Sequence, residues 1–252
     1  MRKGHAGSPG RAPRDLSAPT VVLVHGAWVD GKDWREVIAL LQAKRQSVIA
    51  VQNPLSSLAD DVDTVTRVIK HQPGPIVLVG QGYGGTVITQ AGNHPRVAAL
   101  VYVAAFAPDA GESTNDAQKD YPPSPCVAGL EIDAGGFLYL AQDAVPAFLA
   151  QDLPKADCRI LAAAQKPIRA SALVDRVTAA AWRTRPCWYV VTLEDRMISP
   201  ALQSQIATRI KASVLPVKAG HLPFLSKPKQ TADAIEAAVD FVRGIAVPTR
   251  RA

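Results

Sequence analysis

This chain of 252 residues is poor in several things, and each shortage removes a class of explanation. It has three cysteines, Cys126, Cys158 and Cys187, an odd number at wide spacing with no Cys-x-x-Cys pair. That excludes a disulfide framework and the usual zinc-ribbon spacings, and leaves idle or buried thiols as the expectation. No apolar run approaches the ~20 residues that a membrane-crossing helix needs, so no contact with a membrane is expected. Aromatic residues make up only 6% of the chain, and no basic stripe interleaved with aromatics lies on its body. The formal charge of +6 gathers at the ends: Arg2, Lys3, Arg11 and Arg14 in the first fourteen residues, Arg243, Arg250 and Arg251 in the last ten. Nucleic acid is therefore not an expected partner, because phosphate-tracking charge should sit on the folded body. The first twenty residues carry charge, glycine and proline but no apolar segment of the kind that marks a secretory signal, so the expected location is cytoplasmic.

Hydrophobic residues amount to 48%, enough for one large buried core. Short apolar, β-branched runs alternate with amphipathic stretches. Strands are predicted at Val21–His25, Ser47–Val51, Ile76–Gly80, Val97–Ala105, Cys187–Leu193 and Ser213–Val217. Helices are predicted at Lys32–Lys44, Leu58–His71, Gly84–Asn93, about Pro200–Lys211, and Gln230–Val242. Such alternation implies an α/β fold, a doubly wound, mostly parallel sheet covered by helices on both faces. Residues 1–18 are expected to be a disordered arm, 19–246 a single domain and 247–252 a tail. Within the domain, residues 109–185 break the alternation; rich in proline and without a convincing strand, they are expected to form a small helical cap after the fourth strand.

The chemistry-bearing residues fall at strand ends. Gly80-Gln81-Gly82-Tyr83-Gly84-Gly85 follows the third strand and opens a helix. A dinucleotide or phosphate loop is a poor fit, since no Gly-Lys-Ser/Thr follows and no acidic residue ends the next strand. His25-Gly26-Ala27-Trp28 follows the first strand, Glu194-Asp195-Arg196 the fifth, and Gly220-His221-Leu222-Pro223-Phe224 the sixth. A sharp strand–helix turn, then an acid, then a histidine, in that chain order, is the pattern of an α/β-hydrolase site.

With these pieces the sequence resembles the α/β-hydrolases of the small bacterial esterase and hydroxynitrile-lyase-like group. Further segments of the resemblance are Val51-Gln52-Asn53-Pro54-Leu55, Ala105-Phe106-Ala107-Pro108-Asp109-Ala110-Gly111-Glu112 and Trp188-Tyr189-Val190-Val191, so it spans nearly everything from Val21 to Val242. It implies His221 and Asp195 as a catalytic pair, Gly82 at the nucleophile position, and the backbone N–H groups of Ala27 and Tyr83 as an oxyanion hole. Trp28, Gln81, Phe106, Phe137, Tyr139, Phe148, Leu222 and Phe224 are candidate walls of a substrate pocket. Asp109 is a second candidate acid, His25 a structural support of the oxyanion loop, and Cys126 a remote stand-in nucleophile. Where the family carries histidine then serine at the turn, this chain has Gln81 and Gly82, and glycine can form no acyl-enzyme. Four readings stay open: proton abstraction by His221 in lyase or cyclase chemistry; activation of water by His221 against an ester or lactone; a serine esterase silenced at Gly82; and a non-catalytic binder of a small molecule. No metal or cofactor is expected in any of them. The expected partner is a small apolar carbonyl compound, with a homodimer left open.

Overall fold

The computed structural model describes residues 18–244; the expected arm at 1–18, but for its last residue, and the expected tail at 247–252 lie outside the described residues. The elements run β1 (Thr20–Val24), α1 (Arg35–Ala43), β2 (Ser47–Ala50), α2 (Leu58–Lys70), β3 (Ile76–Gly82), α3 (Gly84–Ala91), β4 (Val97–Ala105), β5 (Leu130–Ile132), β6 (Phe137–Leu140), α4 (Lys155–Ala164), β7 (Ile168–Arg169), β8 (Cys187–Thr192), α5 (Pro200–Arg209), β9 (Ser213–Val217), α6 (Pro223–Ser226) and α7 (Pro228–Val242).

Six strands form one parallel sheet in the order β2-β1-β3-β4-β8-β9. The central strands β1, β3 and β4 are apolar on both faces because helices cover both: α1 packs with α7, and α2 with α3. Local signals place the helices. Ser57 accepts a hydrogen bond from the Asp60 N–H at the start of α2, with Asp60 and Asp61 in its first turn and Arg67 and Lys70 in its last. Ser199 caps α5 in the same way, ahead of Pro200.

The chain leaves β1 toward β2 on one side and returns to β3 on the other. The carboxyl ends of β1 and β3 therefore flank a point where the winding reverses, the usual ligand position in an open α/β sheet. Register pairs Leu23 with Val79 and Val24 with Gly80, so the turns that follow these strands emerge side by side.

The region between β4 and β8 departs from expectation. It is not wholly helical: β5, β6 and β7 make a separate three-stranded antiparallel sheet, flanked by a π-helical turn at Val145–Leu149 and by α4. These strands are two to four residues long, too short for a visible alternation of polarity.

Candidate active site

β3 continues two residues beyond expectation, through Gln81 to Gly82, where φ is +54°. That left-handed conformation is one that glycine adopts without strain. α3 begins at Gly84, and the Phe106 N–H donates to the Gly82 carbonyl (3.1 Å), fastening the turn to the end of β4. A Cβ built on Gly82 would point at His221, 3.2 Å from its Nε2. Position 82 is therefore where a side chain would meet the histidine, and no side chain is there.

His221 and Asp195 come together as expected. The His221 Nδ1 lies 2.9 Å from Asp195 Oδ2, and both side chains are buried. Asp195 is held by four further donors: Thr192 Oγ1 (2.9 Å) and Gln203 Nε2 (2.8 Å) on Oδ2, and the N–H groups of Met197 (2.7 Å) and Ile198 (3.0 Å) on Oδ1. Thr192 and Gln203 escape a motif-based reading. The available signal was Gln203 itself, a glutamine on the buried stripe of α5 beside Leu202 and Ile206.

A carboxylate only accepts, so Nδ1 carries the proton and Nε2 presents a lone pair. That lone pair meets the Gln81 carboxamide, whose nitrogen lies 2.9 Å away and 3.3 Å from the His221 carbonyl oxygen. Gln81 is fully buried, and its Oε1 accepts from the Gly26 N–H at 3.2 Å. The approach is close enough that a Cβ on Gly26 would stand 2.8 Å from Gln81 Oε1 and 3.2 Å from the Tyr83 nitrogen, so only glycine fits. Among the described residues, neither the Ala27 nor the Tyr83 N–H donates to a protein acceptor.

His25 ties the end of β1 to the chain after β2: its Nδ1 is 2.8 Å from the Gly26 oxygen, and its Nε2 accepts from the Asn53 N–H (3.0 Å). Burial lowers its pKa to about 4, so it stays neutral. The Tyr83 ring is buried behind the turn, and burial and then the nearby Asp61 carboxylate push its phenol far up. Burial likewise lifts Asp61 to about 6. One Asp61 oxygen accepts from the Leu55 N–H (2.8 Å), and the Tyr83 hydroxyl faces the same carboxylate outside ordinary hydrogen-bond geometry; the protein supplies no partner to Asn53 Oδ1.

Several other candidates make contacts of their own away from His221 Nε2. Phe224 is fully buried and stacks on Trp34 (centroids 4.3 Å apart), a core position. Alternation along β6 turns Leu138 and Leu140 to the core and Phe137 and Tyr139 to the opposite face, where Phe137 lies under the Arg169 guanidinium. Phe148 packs near Gly129 within the cap. Asp109 pairs with Arg183, which holds its carboxyl below the ordinary range, and has no bond to His221. Glu194 is exposed. Cys126, Cys158 and Cys187 are free and buried, and burial raises each thiol. Phe106 and Leu222 are buried beside the turn and the histidine, and Trp28 is half-buried beside Ala27.

The cap is stitched over these loops. Trp28 donates its backbone N–H to the Lys166 oxygen (2.8 Å) and its indole N–H to the Leu138 oxygen (3.1 Å). Gln151 donates to the Glu194 oxygen (2.6 Å), and the Gly220 N–H donates to Asp152 (2.8 Å). Two surface cavities, of about 180 and 340 Å³, are lined by Glu112, Asp116 and Arg209 and by Pro146, Lys155 and Cys158, away from the dyad. Among the described residues no helix is long and apolar enough to cross a membrane.

The sequence profile of the Alpha/beta hydrolase family matches residues 21–234. This chain belongs to that family. As an α/β-hydrolase it is 27% identical over 246 residues to "Probable hydrolase R7" of Phoma sp. (strain ATCC 20986 / MF5453), covering 87% of this chain and 98% of that protein. The structure of a pyrethroid hydrolase from Sphingobium faniae JZ-2 superposes with a TM-score of 0.72 at 19% identity, covering 88% of this chain and 98% of that one. Polyneuridine aldehyde esterase superposes at 0.74 with 18% identity, covering 87% and 98%. These two likenesses establish the fold of this α/β-hydrolase; its chemistry has to be argued from its own residues.

Proposed function

We propose that this α/β-hydrolase cleaves a small, mostly apolar ester or lactone by activating water, with His221 as general base, Asp195 as its orienting partner, and no covalent intermediate. The observation that carries the reading is the buried His221–Asp195 pair, whose Nε2 faces position 82, where a Cβ would lie 3.2 Å away and no side chain stands. With the Gln81 amide displaced, a water hydrogen-bonded to Nε2 would take the part that a serine hydroxyl otherwise plays. Its oxygen attacks the carbonyl carbon while its proton passes to Nε2, and the N–H groups of Ala27 and Tyr83 receive the charge on the carbonyl oxygen. Collapse breaks the carbon–oxygen bond, and the imidazolium returns its proton to the leaving alkoxide. Proton abstraction from carbon, for a lyase or cyclase, would use the same residues; the hydrolase and esterase names among the relatives favour hydrolysis.

The test is turnover of a panel of small esters and lactones, with mass spectrometry during turnover and oxygen-18 water. The expected result is one labelled oxygen in the acid product and an unmodified protein. A covalent acyl adduct would overturn the reading. A silenced esterase is the second reading, favoured by the Gln81 carboxamide that already occupies the base; it predicts no turnover of any member of the panel.

A further inference from the structure

Gln81 lies between the two halves of the site, and its contacts define its orientation. The Gly26 N–H fixes the oxygen end of the carboxamide at 3.2 Å; the His221 carbonyl oxygen at 3.3 Å and Nε2 at 2.9 Å fix the nitrogen end. A flipped amide would set its NH2 group against the Gly26 N–H and its oxygen against two acceptors, so the assignment follows from the neighbours.

We infer that Gln81 is a positioning residue that caps the base: its carboxamide fills the only lone pair of His221 Nε2, holds the site in an unreactive resting arrangement, and must swing away before His221 can take a proton. Nε2 has a single acceptor site once Nδ1–H is committed to Asp195. While Gln81 donates to it, neither a water nor a substrate proton can reach it. The carboxamide oxygen rests on the Gly26 N–H, next along the chain to Ala27, and its nitrogen on the base, so the side chain lies across the approach to Nε2. The attacking water and Gln81 thus compete for one lone pair. Gly82 and Gln81 are consequently coupled: a hydroxyl at position 82 would contend with the amide for the same lone pair, on a Cβ already 3.2 Å from it.

The inference rests on the reading of His221 as the base, and its tests need no turnover by the unaltered chain, so the two can fail separately. The first test records long-range proton–nitrogen spectra of the imidazoles in nitrogen-15-labelled wild type and Gln81→Met, which keeps length and loses the donor. The expected result is a His221 Nε2 resonance that moves toward that of a free lone pair while the Nδ1–H bond to Asp195 persists; identical Nε2 resonances would overturn the inference. The second test measures labelling by a fluorophosphonate of Gly82→Ser alone and combined with Gln81→Ala. The introduced hydroxyl oxygen bonds to phosphorus, its proton passes to Nε2, and fluoride leaves. Labelling at least about tenfold faster in the double variant is expected, and equal rates would overturn the inference. If the serine variants do not fold by circular dichroism, the spectra of Gln81→Met decide alone.

Discussion

The two halves of this site are built to different standards. At Asp195 both carboxylate oxygens are met: five donors converge on them, two of them backbone N–H groups fixed by the turn before α5. Around Gly82 the opposite holds. Asn53 Oδ1 is buried without a protein partner, the Tyr83 hydroxyl and the Asp61 carboxylate face each other outside ordinary hydrogen-bond geometry, and Trp28, Leu55 and Gly82 all have positive φ. Two of these three are not glycine, and such conformations are costly for other residues. The contrast teaches where free energy is held in reserve: the acid side is a rigid support, whereas the elbow side carries the unmet polar groups and backbone strain typical of a place where something binds or moves.

The comparison is broken most severely at His221. His221→Ala should lower kcat/KM by about 1,000- to 10,000-fold on any ester the chain cleaves, with its circular dichroism unchanged. An unaffected rate would remove His221 from the chemistry. Asp195→Asn should cost no more than His221→Ala, up to about 10,000-fold in kcat, because the imidazole stays in place but loses the acceptor that sets its tautomer.

The elbow side is sharpened by Asp61. Its folded pKa of about 6 stands above the ordinary 3.8, so between these values the folded chain holds a proton that the unfolded chain has released. Stability from this group therefore falls as pH rises through that window, and the cost is in full force above 6. Asp61→Asn keeps an acceptor for the Leu55 N–H and removes the buried charge. Denaturant unfolding should find the variant more stable than wild type above pH 6 by about 2–3 kcal/mol, with the advantage vanishing in acid. His25, lowered to about 4, has the reverse dependence, losing stability as pH falls below 6.5, but it is common to both proteins and cancels in the difference. A constant difference across pH would refute the assignment. The smallest effect belongs to Gly82→Ala, which must adopt the +54° φ and press on His221; thermal unfolding should report a loss of about 1–2 kcal/mol.

Sequence reading reaches unevenly into this molecule. β4 and β9 end at the predicted residues, because their apolar runs stop at clear breaks. The pairing of Asp195 with His221 is also legible, since a parallel sheet brings the ends of β8 and β9 together whatever lies between them. The cap sheet is not: strands this short carry no period, and Phe137 and Tyr139 attract notice as aromatics although the pleat turns them away from the core. Phe224 misleads because proximity to His221 along the chain is not proximity in space; the short turn of α6 delivers it to Trp34 instead. Gln81 stands out as a departure from the family pattern, but its contact with Nε2 depends on a pairing across 140 residues that no local pattern encodes.

Trp28 gives the closed cap a consequence in time. This one residue surrenders both of its N–H groups to the cap, at Lys166 and Leu138, and it is covalently next to Ala27. Any displacement of the cap large enough to admit a molecule must tug on the turn that presents the Ala27 amide. Under the proposed function, entry and reactivity would then exclude one another, because a cap lifted away from Trp28 would draw the Ala27 amide out of the position that the proposed chemistry requires.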